Sequence, residues 1–297
     1  MKCPEHPKKR KGTPLSIGSA EKALDAQTLL KHFPTLAPQK LELMARAMSM
    51  VRYERCDQIE FDPESPADIF LVLKGAIAIT WRRDSHQHVL VTLLAPGEIF
   101  GASSLMPEIG QGLQGYAFAN SVVATINSTK LVDILLGVEM GAFRSAMAMT
   151  VGWSGGTLMR YIRMFHLSPR DRLVIVLIEI GAKFGVRDAR GLILNLPITQ
   201  QDLASLMGAS RQEVNANLGR LARMGAVIHV KRQIILVPEK LFALLGSPGL
   251  RQDRDKLPAV TSNGISKPSK REQMPAMKTL LTNSRIDERR SPQARKN

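Results

Sequence analysis

Residues 199–227 read TQQDLASLMGASRQEVNANLGRLARMGAV. They hold two helical patterns separated by Gly208-Ala209, and each opens with a hydroxyl residue three positions before a carboxylate: Thr199 before Asp202, Ser210 before Glu213. At that spacing the hydroxyl accepts a backbone N–H inside the helix while the carboxylate reaches back to the N–H of the cap, so two orphan donors are satisfied together. Leu203 and Leu206 fall on one side of the first helix. Val214, Leu218 and Leu221 fall on one side of the second, which leaves Arg211, Gln212 and Asn215 on the other. Two short capped helices around a glycine-containing turn form a helix-turn-helix, whose second helix offers its N-terminal residues to base edges in the major groove. Arg pairs with guanine O6 and N7, and Gln or Asn with adenine N6 and N7. Arg211, Gln212 and Asn215 are therefore expected to read bases, and Thr199, Gln200 and Ser210, at the leading ends of the helices, to meet phosphates. Farther on, VIHV and IILV flank Lys231-Arg232. This predicts two strands around a basic turn, a wing whose Lys231 and Arg232 also touch phosphate.

The pattern changes twice before this stretch. Residues 26–48 read as short helices broken at Pro34 and Pro38. From about residue 51 to 129 the period is that of strands: IFLVLKG, GAIAITW and HVLVTLLAPGE are short β-rich runs divided by Gly, Pro and Asp, which predicts an antiparallel sandwich or barrel. From about 138 to 166 the chain has apolar residues at Phe143, Met147, Val151, Leu158, Ile162 and Phe165. That spacing predicts one long helix with a narrow apolar stripe, suited to pairing with another helix. Pro169 then opens a further helix, and no repeat is visible.

The formal charge of +15 is concentrated at the ends. Residues 1–13 hold five basic groups against one acidic, and residues 247–297 hold twelve against five. Both ends are rich in Pro, Ser and Lys without apolar periodicity, so they are expected to lie outside the fold. Basic tails add sequence-blind attraction to DNA, but the fold itself is only mildly basic. No run approaches the length that spans a bilayer, and the basic start MKCPEHPKKRKG has no apolar segment behind it to make a secretory leader. Two cysteines, Cys3 and Cys56, cannot build a four-thiolate cluster, and they predict a cytoplasmic chain without a disulfide framework. No Ser/His/Asp, metal-ligand or phosphate-loop constellation points to an enzyme, a metal or a cofactor.

The order of these parts resembles the cyclic-AMP receptor protein/Fnr family of bacterial transcription regulators, over about residues 30–245. The residues that carry the resemblance are Gly208, Ser210, Arg211 and Val214 in the helix-turn-helix, and Pro66-Ala67-Asp68, Leu73-Lys74-Gly75 and Pro96 to Gly101 in the strand-rich part. The resemblance implies an α+β architecture with boundaries at 26–137 for a β jelly-roll like those that bind cyclic nucleotides, 138–167 for a dimerisation helix, and 168–246 for a winged helix-turn-helix. Basic segments 1–25 and 247–297 lie outside these domains. It implies a homodimer joined along Phe143, Met147, Val151, Leu158 and Ile162, binding palindromic double-stranded DNA and contacting RNA polymerase. The departures concern the effector pocket, placed at Gly101, Ala102, Ser103 and Thr157. Members that bind cyclic AMP follow Phe-Gly with Glu for the ribose and then supply Arg for the cyclic phosphate. Here Ala102 follows Phe100-Gly101, and no Arg occurs between Arg83 and Arg144. An anion buried without a cationic partner is poorly compensated, so the expectation is a regulator that works without cyclic AMP. The alternative is a small-molecule-sensing module that acts through protein partners. Gly101 and Ser103 stand where the haem-sensing branch has Cys and His, and the pair His86 and His88 reads as part of a solvated hairpin. Ala216 stands where the second helix often has Arg, which puts the family's usual half-site in doubt.

Overall fold

Burial on both sides of one strand organises the amino-terminal half. The fold is that of a computed structural model, which describes residues 13–14, 24–59, 68–82, 88–101, 112–136, 140, 157–230 and 233–245. All of them belong to one compact unit, Met1–Gly246. Among the described residues this half has nine strands: β1 (Thr13–Pro14), β2 (Ser49–Tyr53), β3 (Gln58–Ile59), β4 (Asp68–Lys74), β5 (Ile77–Arg82), β6 (His88–Leu94), β7 (Ile99–Phe100), β8 (Leu113–Ala117) and β9 (Ser121–Asn127). They form two antiparallel sheets, β1-β2-β9-β4-β7 and β3-β8-β5-β6. Successive side chains of a strand point to opposite faces, so β4 serves two cores. Phe70 and Val72 lie with Ile77, Ile79, Leu94, Phe100 and Val123 between the sheets. Ile69 and Leu71 lie on the outer face with Leu29, Leu41, Met44 and Leu135, which come from helices α1 (Ala26–Leu30), α2 (Pro38–Ala47) and α3 (Ser128–Leu135). The run IFLV is continuously apolar for this reason.

The carboxyl-terminal half begins with a helical segment, α4, over residues 157–164. It continues through α5 (Pro169–Phe184), β10 (Gly185–Asp188), β11 (Gly191–Leu194), α6 (Gln200–Met207), α7 (Arg211–Arg223), β12 (Val227–Val230), β13 (Gln233–Leu236) and α8 (Pro238–Leu244). Ser168 caps α5 by accepting the Asp171 N–H, and Pro169 sits at the first turn, where its missing N–H leaves no bond unmade. The four strands form one sheet, β10-β11-β13-β12. The jelly-roll-like sandwich, helical segment and winged helix-turn-helix thus agree with the α+β expectation.

Three features differ from the sequence reading. Strands β10 and β11 were not expected: they are four residues each and carry Arg187, Asp188 and Arg190 around a tight turn, so the apolar run that marks a strand is too short. Within the segment 1–25, taken to lie outside the fold, Thr13 and Pro14 pair with Arg52 and Val51 at the edge of β2. Backbone pairing of this kind needs no apolar periodicity, and composition therefore gives no sign of it. Cys56 is disulfide-bonded rather than a free thiol. The chain's other cysteine, Cys3, lies outside the described residues, and two cysteines so far apart in sequence leave no spacing signature.

Gly101, directly after β7, has φ +100°, and a Cβ there would stand 2.3 Å from the Asp68 carbonyl oxygen and 2.7 Å from the Phe70 ring. That ring stacks on Phe100 at 4.8 Å between centroids. Both the backbone conformation and the space demand glycine. Gly101→Ala is expected to destabilise the chain by about 3 kcal/mol, read as a lowered urea midpoint with an unchanged slope.

Candidate nucleic-acid interface

Both expected capping boxes are formed. Thr199 Oγ1 accepts the Asp202 N–H at 3.2 Å while Asp202 Oδ2 accepts the Thr199 N–H at 2.8 Å. Ser210 Oγ accepts the Glu213 N–H at 3.2 Å while Glu213 Oε2 accepts the Ser210 N–H at 2.9 Å. The bonds from Ser210, backbone first and then hydroxyl, hold the Glu213 carboxyl below its usual range, with the Arg172 charge adding to the effect. Each hydroxyl also donates its proton to the same carboxylate, at 2.6 Å for Thr199 and 2.8 Å for Ser210. As they stand, the hydroxyls expected to hold phosphates have no spare proton, and a phosphate would have to draw it away from the carboxylate.

Between the two helices Gly208 closes α6 in the left-handed region, φ 61° and ψ 46°, so its N–H returns to the carbonyls of Ala204 and Ser205. No atom lies within 4 Å of where its Cβ would be, so the conformation, rather than crowding, requires glycine. The inward faces close on α5: Leu173, Val174, Leu177, Leu203, Leu206, Val214, Leu218 and Leu221 are all buried. Arg211, Gln212 and Asn215 are exposed on the opposite side of α7, as the periodicity predicts. Asn215 Oδ1 accepts a bond from Gln200 Nε2 at 3.1 Å, which ties the second helix to the start of the first. Asn217 turns inward instead, donating to the Glu213 carbonyl at 2.9 Å. In the wing, β12 and β13 pair antiparallel as far as Val230 and Gln233. Lys231 and Arg232 themselves lie outside the described residues.

Of the residues placed at the effector pocket, Ala102 and Ser103 fall outside the described residues, Gly101 is fixed by backbone crowding, and Thr157 is half-buried at the start of α4. Phe143, Met147 and Val151 of the expected helix stripe also lie outside the described residues. Its other members, Leu158 and Ile162, are 61 % and 45 % exposed, and Phe165 beyond them is 76 % exposed. His88 pairs with Arg82 at the start of β6, and His86 is not described. Sequence reasoning missed Arg160, Tyr161 and Lys183, which bind the sandwich across the chain. No local pattern marks them, because their partners are 69 to 90 residues away.

This fold and these helices define a winged helix-turn-helix regulator. Residues 171–244 match the Crp-like helix-turn-helix domain. The global nitrogen regulator of Synechococcus elongatus is 28 % identical over 72 % of this chain and 95 % of its own. The CRP-like cAMP-activated global transcriptional regulator of Mycobacterium tuberculosis is 22 % identical over 65 % and 86 %. Among solved structures, FixK2 from Bradyrhizobium japonicum superposes with a TM-score of 0.55 at 20 % identity over 66 % of this chain and 96 % of that one. A CooA mutant from Carboxydothermus hydrogenoformans does so with 0.54 at 18 % over 75 % and 96 %. The chain thus carries a Crp-like helix-turn-helix domain, and over most of its length it is similar to DNA-binding transcription regulators of the Crp/Fnr type.

Two substitutions test the local geometry. Gly208→Ala should destabilise by about 1 kcal/mol through the left-handed backbone alone, with Gly208→Asn milder, as thermal melts will report. Ser210→Ala removes the hydroxyl that donates to Glu213 and leaves the backbone N–H, the larger of the two causes. The carboxyl should therefore titrate at a higher pH by carbon-13 NMR while staying below its usual range.

Proposed function

We propose that the chain acts as a homodimer that binds a palindromic operator through α7 and does so without cyclic AMP. The observation that carries this reading is the pair of capped helices with Arg211, Gln212 and Asn215 turned out of the core. Arg211 is the first residue of α7, where a recognition helix enters the groove, so it reads one base pair at each half-site. Gln200 at the start of α6 and the wing residues Lys231 and Arg232 hold phosphates.

The dimer rests on Leu158, Ile162 and Phe165. Their spacing of four and then three residues sets them on one face of the helical turn, and their exposure leaves an apolar stripe that a second copy can cover. A two-fold dimer presents the same patch twice and sets its two recognition helices one DNA turn apart, about 34 Å. RNA polymerase is a further partner on this reading, and the cytoplasm is the compartment.

Independence from cyclic AMP follows from the charge available to an anion. No Arg lies between residues 84 and 143. Arg160 does reach the sandwich, but its guanidinium is already held by Glu179 and by the Val91 carbonyl. A charge-assisted hydrogen bond contributes about 1.5–3 kcal/mol, so its absence alone weakens a phosphate ligand roughly ten- to a hundredfold.

Selection from random duplexes by the purified chain should return a palindrome. On that site Arg211→Ala should lose about 1–3 kcal/mol and relax preference at one base pair, while Lys231→Ala weakens all sequences alike. Unchanged affinity and preference in Arg211→Ala would remove α7 from the groove. Calorimetry with cyclic AMP and cyclic GMP should show no heat at micromolar concentrations while the operator is still bound. Micromolar binding that raises operator affinity would overturn the second half of the reading.

A further inference from the structure

The amide of Asn215, on the exposed face of α7, is met by a side chain from the other helix. Its Oδ1 accepts a bond at 3.1 Å from Nε2 of Gln200, the first residue of α6. Both backbones are held at this point. The capping box of Thr199 and Asp202 fixes the start of α6, and that of Ser210 and Glu213 fixes the start of α7. Along α7, Arg211 is exposed one turn before Asn215. One turn after it is Gly219, which has no side chain and no atom within 4 Å of where a Cβ would stand. Asn215 therefore lies on an open part of the helix face, with Gln200 set beside it.

A side-chain amide has two unlike corners, an oxygen that only accepts and an NH2 that only donates. Adenine is read with both corners together, because its N6 donates and its N7 accepts on one edge. In Asn215 the oxygen corner is turned to α6 and filled, so the corner left for a base is the NH2. Guanine suits it, since N7 and O6 on that edge are both acceptors. The second hydrogen on Gln200 Nε2 takes no part in the bond to Asn215 and can still meet a phosphate. A phosphate contact and a base contact are thereby joined through one side chain.

We propose that Gln200 is a specificity-determining residue: by holding the oxygen of Asn215 it makes that amide present donors to the operator, so that Asn215 selects guanine over adenine at the base pair beneath it. The inference rests on the DNA-binding reading above. A neutral hydrogen bond contributes little in water, but water is displaced when α7 enters the groove, and a polar group left unpaired there is costly. Adenine under Asn215 sets its N6 donor against a donor unless the bond to Gln200 is broken. Either outcome disfavours adenine.

Selection from random duplexes by the full chain and its variants tests this. Asn215→Ala locates the base pair, as the one where preference is lost. At that pair the parent chain should take guanine over adenine about fivefold. Gln200→Lys, which can only donate, should keep guanine. Gln200→Glu can only accept, so it draws the NH2 of Asn215 toward itself, and preference should move to a base with a donor, adenine or cytosine. Gln200→Ala leaves the amide free to turn, and adenine should rise to match guanine. Gln200 lies outside the capping box, so these variants keep the fold, which a thermal melt of each checks. Variants that weaken all sequences alike, with the preference at that pair unchanged, overturn the proposal and leave Gln200 as a phosphate contact. Adenine selected by the parent chain overturns it as well. If Arg211→Ala alters preference and Asn215→Ala alters none, α7 is in the groove and only this proposal fails. If no sequence is selected by the parent chain, the reading of α7 fails with it.

Discussion

The two-sided burial of β4 is the constraint on which the amino-terminal half depends. Because Phe70 and Val72 face the second sheet while Ile69 and Leu71 face the helices, the strand cannot slip by one residue without exchanging its two cores. Its partner β9 is held in the same way, with Val123 between the sheets and Ala124 and Ile126 under the helices. The place of β7, and with it the backbone crowding at Gly101, follows from the register Phe70↔Phe100. The facing sheet carries a bulge at Val91, where Ile79 faces Thr92 but Thr80 faces Leu90, and its inner residues Ile77, Ile79 and Leu94 must meet this fixed surface. Shape at the sandwich is thus set first, and the contacts that reach α4 and α5 are set on it.

The helix-turn-helix obeys a more local logic. Each helix is started by its own capping box and the first is stopped by Gly208, so the angle between them is specified within residues 199–223. Packing against α5 adds stability to a unit whose ends are already satisfied. This explains why the exposed side of α7 was legible in the chain. Arg211, Gln212 and Asn215 are exposed because Val214, Leu218 and Leu221 are bound inward, and both sets follow from one period. Asn217 is the exception: its polar side chain lies inward and bonds along its own helix, which periodicity does not reveal.

What could not be read has a common physical cause. The strands β10 and β11 exist because β13 offers a partner, Leu192 to Leu236 and Ile193 to Ile235, and not because four residues carry a strong signal. The crossings of Arg160, Tyr161 and Lys183 join parts far apart in sequence. Hydroxyls at helix starts were legible as caps, yet whether their protons remain available to a phosphate depended on the rotamers of Asp202 and Glu213. The family resemblance reached the architecture and the DNA-binding role; these contacts depend on individual side chains that no motif includes.

The short pairing of Thr13 and Pro14 with β2 bears on self-association. Without it β2 would end the sheet as a row of open donors and acceptors, the template on which chains join edge to edge and grow without limit. A strand of two residues covers part of that row, and Pro14 has no N–H with which to extend it. Growth of a continuous sheet from this edge is thereby discouraged.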